Sequence, residues 1–222
     1  METEIKLDAS HLSQPRELLQ DAWLISLEIP GKRNTLVMDS RYYDTADSRL
    51  ASSACSLRLR RENEQHILSL KGGGSVEKGL YRRAEWSVPL TAAEAGLFML
   101  QPDIKKARHF LSDAWVACGM PGISDRRIQD QPLTQIACVT FTRQLTYLRY
   151  RNTLVELALD QGTLSAALRT APLCEIELEL KQGDVADLIA LGRELASRFS
   201  LKPQNASKLA RCLALAAFRP MP

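Results

Sequence analysis

Residues 174–181 read CEIELELK, a segment in which isoleucine and leucine alternate with glutamate. In a β-strand, successive side chains point to opposite faces, so the apolar residues would share one face and the carboxylates the other. The apolar face predicts the buried side of a sheet. The opposite side of the strand carries the glutamates, and the question is what surrounds so many charges.

Other segments show the same alternation of apolar with ionic or polar side chains. They are SLRLRR at 56–61, ILSLKGGG at 67–74, YRRAEWSV at 81–88 and TLVELALDQG at 153–162. Solvent would explain the charges of any one such strand. Because several strands share the pattern and helices are available to cover their apolar faces, we expect the ionic faces to converge on one lumen. A closed barrel of roughly eight strands has room for side chains and one small ligand.

Hydrophobic periodicity predicts the elements around this pattern. Predicted strands are 2–8, 21–29, 35–43, 55–62, 65–71, 80–88, 135–143, 145–151, 153–160 and 173–181. Predicted helices are 11–20, 91–115 with a break at Pro102, and about 184–218 with a break at Lys202–Pro203. Thr91 and Glu94 have capping-box spacing. Many strands with few helices indicate an antiparallel barrel or sandwich with helices outside.

The composition narrows the classes of protein. The chain has 222 residues, with 29 Lys and Arg against 26 Asp and Glu, and a net charge of +3 is too small to indicate a nucleic-acid partner. Its 5 cysteines include no CxxC pair, which favours reduced thiols. No apolar run approaches the roughly 18 residues of a membrane span, and no signal-peptide pattern is present. We expect a cytoplasmic protein with neither membrane nor nucleic-acid partners.

The predicted lumen contains charges of both signs. Its cations would be Lys6, Arg58, Arg60, Lys71, Arg83 and Arg143, and its acids Glu2, Glu4, Asp160, Glu175 and Glu177. Burying so many charges is costly without counter-ions. Arg and Lys suit phosphate oxygens, and carboxylates without His or Cys nearby suit Mg²⁺ or Mn²⁺ rather than zinc. A polyphosphate with such an ion would satisfy both sets.

Three features have simpler interpretations. Asp44 is expected to cap a turn with Thr45, and Glu85 to pair with Arg83 as scaffold. The run GGGS at 72–75 lacks the GK[ST] ending and the following helix of a phosphate loop. It predicts a flexible hairpin loop.

Together these segments resemble a known family. Glu2-x-Glu4-x-Lys6, followed in order by YYDTADSRL, LRLRRE, LSLKGGG, RRAEW, VELALDQG and CEIELELK, resembles the CYTH family, the triphosphate tunnel metalloenzymes. The chain looks most like the bacterial inorganic triphosphatases. The resemblance implies an α+β fold in which a closed or nearly closed antiparallel β-barrel of about eight strands forms a charged tunnel, with helices packed outside. We expect one such domain over 1–222, including the C-terminal helices at about 184–218.

The resemblance also implies roles for individual residues. Metal ligands would be Glu2, Glu4, Asp160, Glu175 and Glu177. Phosphate contacts would be Lys6, Arg58, Arg60, Lys71, Arg83, Arg143 and Lys208. Catalytic roles would fall to Glu177 as a base, Glu179 as a residue that positions water, and Lys6.

The expected reaction is hydrolysis of a triphosphate with one or two Mg²⁺ or Mn²⁺ ions, most simply of inorganic tripolyphosphate to pyrophosphate and phosphate. Three alternatives stay open: an adenylyl cyclase that forms cyclic AMP, a thiamine triphosphatase, and a polyphosphate-binding protein without catalysis. The sequence leaves monomer and homodimer undecided.

Overall fold

The structure is a computed structural model that describes residues 2–111 and 131–217. Its strands are β1 (Glu2–Asp8), β2 (Asn34–Asp44), β3 (Cys55–Glu62), β4 (Gln65–Glu77), β5 (Leu80–Leu90), β6 (Thr134–Tyr150), β7 (Thr153–Ala166), β8 (Arg169–Gln182) and β9 (Lys202–Pro203). Its α-helices are α1 (Ala22–Leu27), α2 (Arg49–Ser52), α3 (Ala92–Leu100), α4 (Ile104–Phe110), α5 (Val185–Phe199) and α6 (Lys208–Ala217), and a 3-10 helix spans Pro15–Gln20.

Antiparallel strands close into a barrel. Within the described residues, the order β5-β4-β3-β2-β6-β7-β8-β1 becomes a ring because β1 pairs with β8 on one side and with β5 on the other. The short strand β9 pairs with the end of β1. Closure satisfies the backbone groups that an open sheet would expose at its edges. The predicted fold class, an α+β fold built on a closed eight-stranded barrel, is confirmed.

Helices cover the apolar outer faces of the strands. Leu57 on β3 and Leu68 on β4 are fully buried in a cluster that includes Phe98 of α3. On the other side of the barrel, Leu178 of β8 is fully buried in a cluster with Leu191 of α5. Because these leucines occupy the outward positions, their charged neighbours in sequence point into the barrel.

The helix α6 lies differently from the others. Its Cys212 is fully buried with Val139 of β6 and Leu164 of β7, residues on the inner face of the barrel. The start of α6 therefore reaches the lumen, which places Lys208 against side chains that point inward. The sequence predicted this helix but not its place.

Some local predictions are wrong. Residues 21–29 form no strand, because the Asp21 carboxylate accepts hydrogen bonds from the amides of Trp23 and Leu24 and begins α1. Within the predicted helix 11–20, the 3-10 helix occupies the second half. The strands predicted at 135–143 and 145–151 are one continuous strand, β6.

The glycine run at 72–75 is also not a hairpin loop. It belongs to β4, where the pairing with β5 shifts register between Gly72 and Ser75. Gly74 has φ +102°, and a Cβ there would lie 1.9 Å from the carbonyl oxygen of Arg82. The run is therefore a bulge that lets two backbones approach closely, and the turn follows at Lys78 and Gly79.

The helical predictions near the middle and end of the chain agree better. Thr91 and Glu94 form the predicted capping box at the start of α3. A second helix follows Pro102, and the predicted residues 112–115 lie outside the described residues. Lys202–Pro203 divides α5 from α6, as predicted, while also forming β9.

Candidate active site

A cavity of about 370 Å³ lies inside the barrel. Its lining includes most of the predicted site residues, namely Glu2, Glu4, Lys6, Arg58, Arg60, Lys71, Arg83, Arg143, Glu177, Glu179 and Lys208. Asp160 and Glu175 are not part of this lining, and both are fully buried. The alternation of each strand thus brings the predicted charges to one lumen, with two of them set behind its surface.

Two walls of the lumen differ in their charges. We call the carboxylate wall the side formed by β1, β6, β7, β8 and α6, with Glu4, Lys6, Arg143, Asp160, Glu175, Glu177 and Lys208. We call the cation wall the side formed by β3, β4 and β5, with Arg58, Arg60, Lys71, Arg83 and Glu85.

Glu177 is the centre of the carboxylate wall. Its carboxylate accepts hydrogen bonds from Lys6, Arg143 and Lys208, with 2.9 Å between Lys208 Nζ and Glu177 Oε1. Lys6 also forms an ion pair with Glu4, 3.0 Å from Nζ to Oε1. One acid therefore connects cations from β1, β6 and α6.

Asp160 and Glu175, which lie behind the cavity surface, form ion pairs with Arg143 and Lys208. Arg143 donates two hydrogen bonds to Asp160, at 2.8 and 2.7 Å, in the bidentate geometry that gives strong pairs. Lys208 lies 2.7 Å from Asp160 Oδ2 and also contacts Glu175, which accepts a further hydrogen bond from Arg211. The two acids thereby position Arg143 and Lys208.

The pairing shifts the pKa values in the carboxylate wall. Burial opposes ionisation of Glu177, yet Lys208, Lys6 and Arg143 outweigh it and hold the pKa of Glu177 well below its usual range. Burial likewise opposes the charge of Lys6, but Glu177 and Glu4 raise the pKa of Lys6 well above its usual value. At Glu175 burial prevails over Lys208 and raises the pKa of that carboxyl. Glu177 and Lys6 are therefore charged at neutral pH.

In the cation wall, fewer carboxylates pair with the cations than in the carboxylate wall. Arg58 and Lys71 both contact Glu85, at 3.0 and 2.9 Å, and Lys71 also contacts Glu2 at 2.6 Å. The prediction that Glu85 pairs with Arg83 is therefore corrected. Arg83 lies two residues from Glu85 on the same strand, whereas Lys71 lies directly opposite Glu85 on β4 and the long side chain of Arg58 reaches Glu85 from β3.

Arg60 and Glu85 show how this wall is unbalanced. Arg60 donates to Ser40 and to Glu62, but burial and the nearby charges of Arg58 and Arg143 lower its pKa. Glu85 is opposed by burial, but Arg58 and Lys71 lower its pKa to about 2. The excess of positive charge is what a polyanionic ligand would neutralise.

Glu2 contrasts with Glu85 although both contact Lys71. Burial raises the pKa of Glu2 to about 7, and Glu4 and Glu85 add to the rise while Lys71 opposes it. The carboxyl of Glu2 thus titrates near neutral pH.

Among the described residues of the lumen, carboxylate oxygens that suit a hard cation occur in two places. Asp160, Glu175 and Glu177 have oxygens within 4.8 Å of one another, but the Lys208 ammonium already pairs with all three. Glu2 and Glu4 line the cavity beside Glu177. Their oxygen-only chemistry fits Mg²⁺ or Mn²⁺.

Sequence reasoning missed or undervalued several residues at the site. Tyr81 lies on the inner face of β5, with Lys6 Nζ 5.2 Å and Arg83 Cζ 4.9 Å from its ring centre. Arg211 lies three positions after Lys208 on α6. This spacing places both side chains on one helix face, so the sequence could have indicated Arg211 as a further residue of the site. Asp44 is the turn cap that was predicted, since its carboxylate accepts from the amides of Thr45 and Leu50.

A closed barrel whose lumen is lined by both cations and carboxylates defines a class of charged-tunnel proteins. The model of the CYTH domain family matches residues 1–213, and the chain belongs to this family. Among the helices of the described residues, none has the length and apolar character needed to cross a membrane.

Known proteins resemble the chain to different degrees. The chain is 29% identical over 184 residues to an inorganic triphosphatase of Haemophilus influenzae, and the match covers 81% of this chain but 46% of that relative. The chain thus spans about half the length of the curated relative it matches.

Solved structures share the fold at lower identity. One is a putative adenylyl cyclase from Hippeastrum described as having a dominant triphosphatase activity, with a TM-score of 0.67, 20% identity, and 99% of this chain and 98% of that chain covered. Another is a putative adenylate cyclase from Bacillus halodurans, with a TM-score of 0.59, 20% identity and coverage of 93% and 94%. At this identity they show the fold alone.

Proposed function

We propose that this chain hydrolyses a triphosphate with Mg²⁺ or Mn²⁺, and that inorganic tripolyphosphate, cleaved to pyrophosphate and phosphate, is its substrate. The main support for the proposal is that the cation wall and several carboxylates line the same cavity inside the closed barrel. Anion binding alone would need only the cations. The similarity to an inorganic triphosphatase supports the same substrate class.

The cation wall would bind the phosphate chain. Arg58 and Arg60 present guanidinium groups on adjacent inward positions of β3, and Lys71 lies beside them on β4. Phosphate oxygens would take over contacts that Glu85 and Glu62 now make, which relieves the repulsion that lowers the pKa of Arg60. The charge that spreads over the transferred phosphoryl group would meet the same cations.

The cavity-lining acids Glu2, Glu4 and Glu177 would hold the metal ion. A divalent ion supplies neutralisation of phosphate charge and orientation of the phosphate chain. Asp160 and Glu175 were predicted as further ligands, but their contacts favour another role. They would keep Arg143 and Lys208 in place as phosphate-binding groups.

The reaction adds one water to the substrate. The water oxygen bonds to the terminal phosphorus as the bridging P–O bond breaks, pyrophosphate leaves, and the water protons end on the products and solvent. Glu177 holds three cations and its pKa is depressed, so it suits anchoring better than proton abstraction. Glu179 lines the cavity and pairs with Lys181 at 2.8 Å, which makes it the better candidate to position the water.

A second candidate is hydrolysis of an organic triphosphate, such as thiamine triphosphate or ATP. The cavity lining includes the apolar side chains of Leu36, Met38, Ile67 and Leu145 together with Tyr42. An organic group attached to the triphosphate would find apolar contacts there. Cyclic AMP formation would need that group to be a nucleoside.

Phosphate release from tripolyphosphate, thiamine triphosphate and ATP with Mg²⁺ or Mn²⁺ tests the proposal, with cyclic AMP measured in the ATP sample. We expect fastest turnover of tripolyphosphate, and its loss in Glu4→Gln with an unchanged circular dichroism spectrum. Glu64→Gln, an exposed change of the same chemistry, serves as control. Binding without turnover of any substrate would identify a polyphosphate-binding protein and overturn the proposal.

The family match over 1–213 supports a single domain. The cytoplasmic location, and the absence of nucleic-acid and membrane partners, stay predictions.

A further inference from the structure

A second cavity, of about 390 Å³, lies on the outside of the barrel. It is bounded by the 3-10 helix, by the segment 28–35 and by the face of β6 that carries Gln144 and Thr146. These two residues point away from the lumen, because Arg143 and Leu145, which alternate with them along β6, line the lumen. Leu145 contributes to both cavities and separates them.

Two buried polar atoms in this cavity have no partner among the described residues. Thr146 is 2% exposed, and its hydroxyl makes no hydrogen bond. The Gln144 side-chain oxygen is likewise buried and unpaired. An unsatisfied buried polar group costs about 1 to 3 kcal/mol, so a pair of them in one cavity calls for hydrogen-bond partners that the described residues do not supply.

The charges around the cavity favour an anion. Glu28, the acid in its lining, is held by Arg33, which donates to both of its oxygens at 2.8 and 3.0 Å. Arg16 uses its Nε to donate to the neutral side chain of Gln161, at 3.2 Å, and keeps its positive charge unopposed by a carboxylate in the lining. The lining therefore carries an excess of one positive charge, next to an acceptor at Gln144 and a hydroxyl at Thr146.

We propose that this outer cavity is a second ligand site, which binds a small phosphate-bearing anion that also has a hydroxyl donor. Hydrogen phosphate is its smallest example, and phosphate monoesters are larger ones. Arg16 pairs with the phosphate oxygens, the Thr146 hydroxyl donates to one of them, and the ligand hydroxyl donates to Gln144. The site is separate from the tunnel and does not depend on the reaction that occurs there.

Calorimetric titration with orthophosphate and with glycerol phosphate tests the site. Because the tunnel also attracts phosphate, the titration uses the double variant Arg58→Gln, Arg60→Gln, in which anion binding to the tunnel is weakened. We expect one equivalent of anion to remain bound. Tighter binding of glycerol phosphate than of orthophosphate would identify a monoester site, and the reverse a site for free phosphate.

Single changes added to that variant identify the residues involved. Arg16→Gln and Thr146→Val are each expected to weaken binding about tenfold or more, because each removes a hydrogen bond to a charged group. Thr142→Val changes the same residue type on the same face of β6, outside the cavity lining, and is expected to leave binding unchanged. Absent binding, or binding that Arg16→Gln and Thr146→Val leave unaltered, would overturn the proposal.

The melting temperature without ligand gives an independent measurement. Valine has the shape of threonine, so Thr146→Val removes an unpaired hydroxyl and is expected to raise the melting temperature relative to Thr142→Val. A lowered melting temperature would mean that water already satisfies the hydroxyl, and it would overturn the argument for a ligand.

Discussion

The two walls of the lumen carry similar side chains but balance them differently. In the carboxylate wall, Glu177 contacts three cations, and Asp160 forms a bidentate pair with Arg143. In the cation wall, Arg58 and Lys71 share Glu85, while neighbouring arginines lower the pKa of Arg60. The cations of one wall are neutralised by its own carboxylates, and the other wall keeps an excess of positive charge.

Because of this difference, we expect the carboxylate wall to contribute mainly to the stability of the fold and the cation wall mainly to ligand binding. A buried charge that has its partners is costly to unpair, so the carboxylate wall should respond to substitution mainly with lost stability. A wall with unbalanced charge lowers the stability of the free protein, and a bound anion would relieve the repulsion. Substitutions in the two walls should therefore have different effects.

The largest effect is expected from Glu177→Gln. The change leaves Lys6, Arg143 and Lys208 buried with one shared acid fewer, and removal of one partner from a buried pair costs about 3 to 5 kcal/mol. Urea unfolding measures the loss. Glu85→Gln, in the cation wall, unpairs two cations rather than three, at a carboxylate that is 20% exposed, and should cost less; equal losses in the two variants would refute the distinction between the walls.

Arg60→Gln should weaken binding without weakening the fold. Tripolyphosphate affinity, measured by calorimetry without metal, is expected to fall about 10-fold to 100-fold, since a charge-assisted contact is lost. The free energy of unfolding should stay unchanged or rise by up to about 1 kcal/mol, because repulsion with Arg58 and Arg143 disappears. Arg61→Gln, the next residue on β3 and exposed, is the control. A large loss of stability in Arg60→Gln would show that this wall is scaffold.

The smallest effect concerns the pH dependence at Glu2. Its pKa is raised from 4.5 to about 7, so the folded state binds a proton that the unfolded state has already released between those values. Stability from this group is therefore present below about pH 4.5 and lost as pH rises towards 7. Glu2→Gln cannot titrate.

Urea unfolding of both proteins from pH 4 to 8, without metal, measures this loss. The difference in stability between the wild-type chain and Glu2→Gln should decline across that range. A constant difference would contradict the raised pKa.

Strand alternation made the lining of the lumen largely predictable. In CEIELELK, LRLR and LSLK, the face of each side chain follows from its position, and the leucines identify which face the helices cover. The capping box of α3 was predictable for the same reason, since it depends on residues three apart. Local patterns of this kind need no knowledge of the rest of the chain.

Predictions failed where distant contacts decide. The segment 21–29 fits a strand or a helix by periodicity, and the Asp21 cap together with packing against the barrel selects the helix. A glycine at position 74 is required by the carbonyl of Arg82 on another strand, which local sequence does not reveal.

The sequence by itself determined which strands carry charge and which face of each strand carries it, because β-strand geometry has a period of two. It also determined the family, through the order of its motifs. Only the tertiary structure decided which charges pair. Barrel closure and the entry of α6 place Lys208 among Asp160, Glu175 and Glu177 and leave Arg60 beside other arginines, because ion pairing depends on distances between residues far apart in the chain.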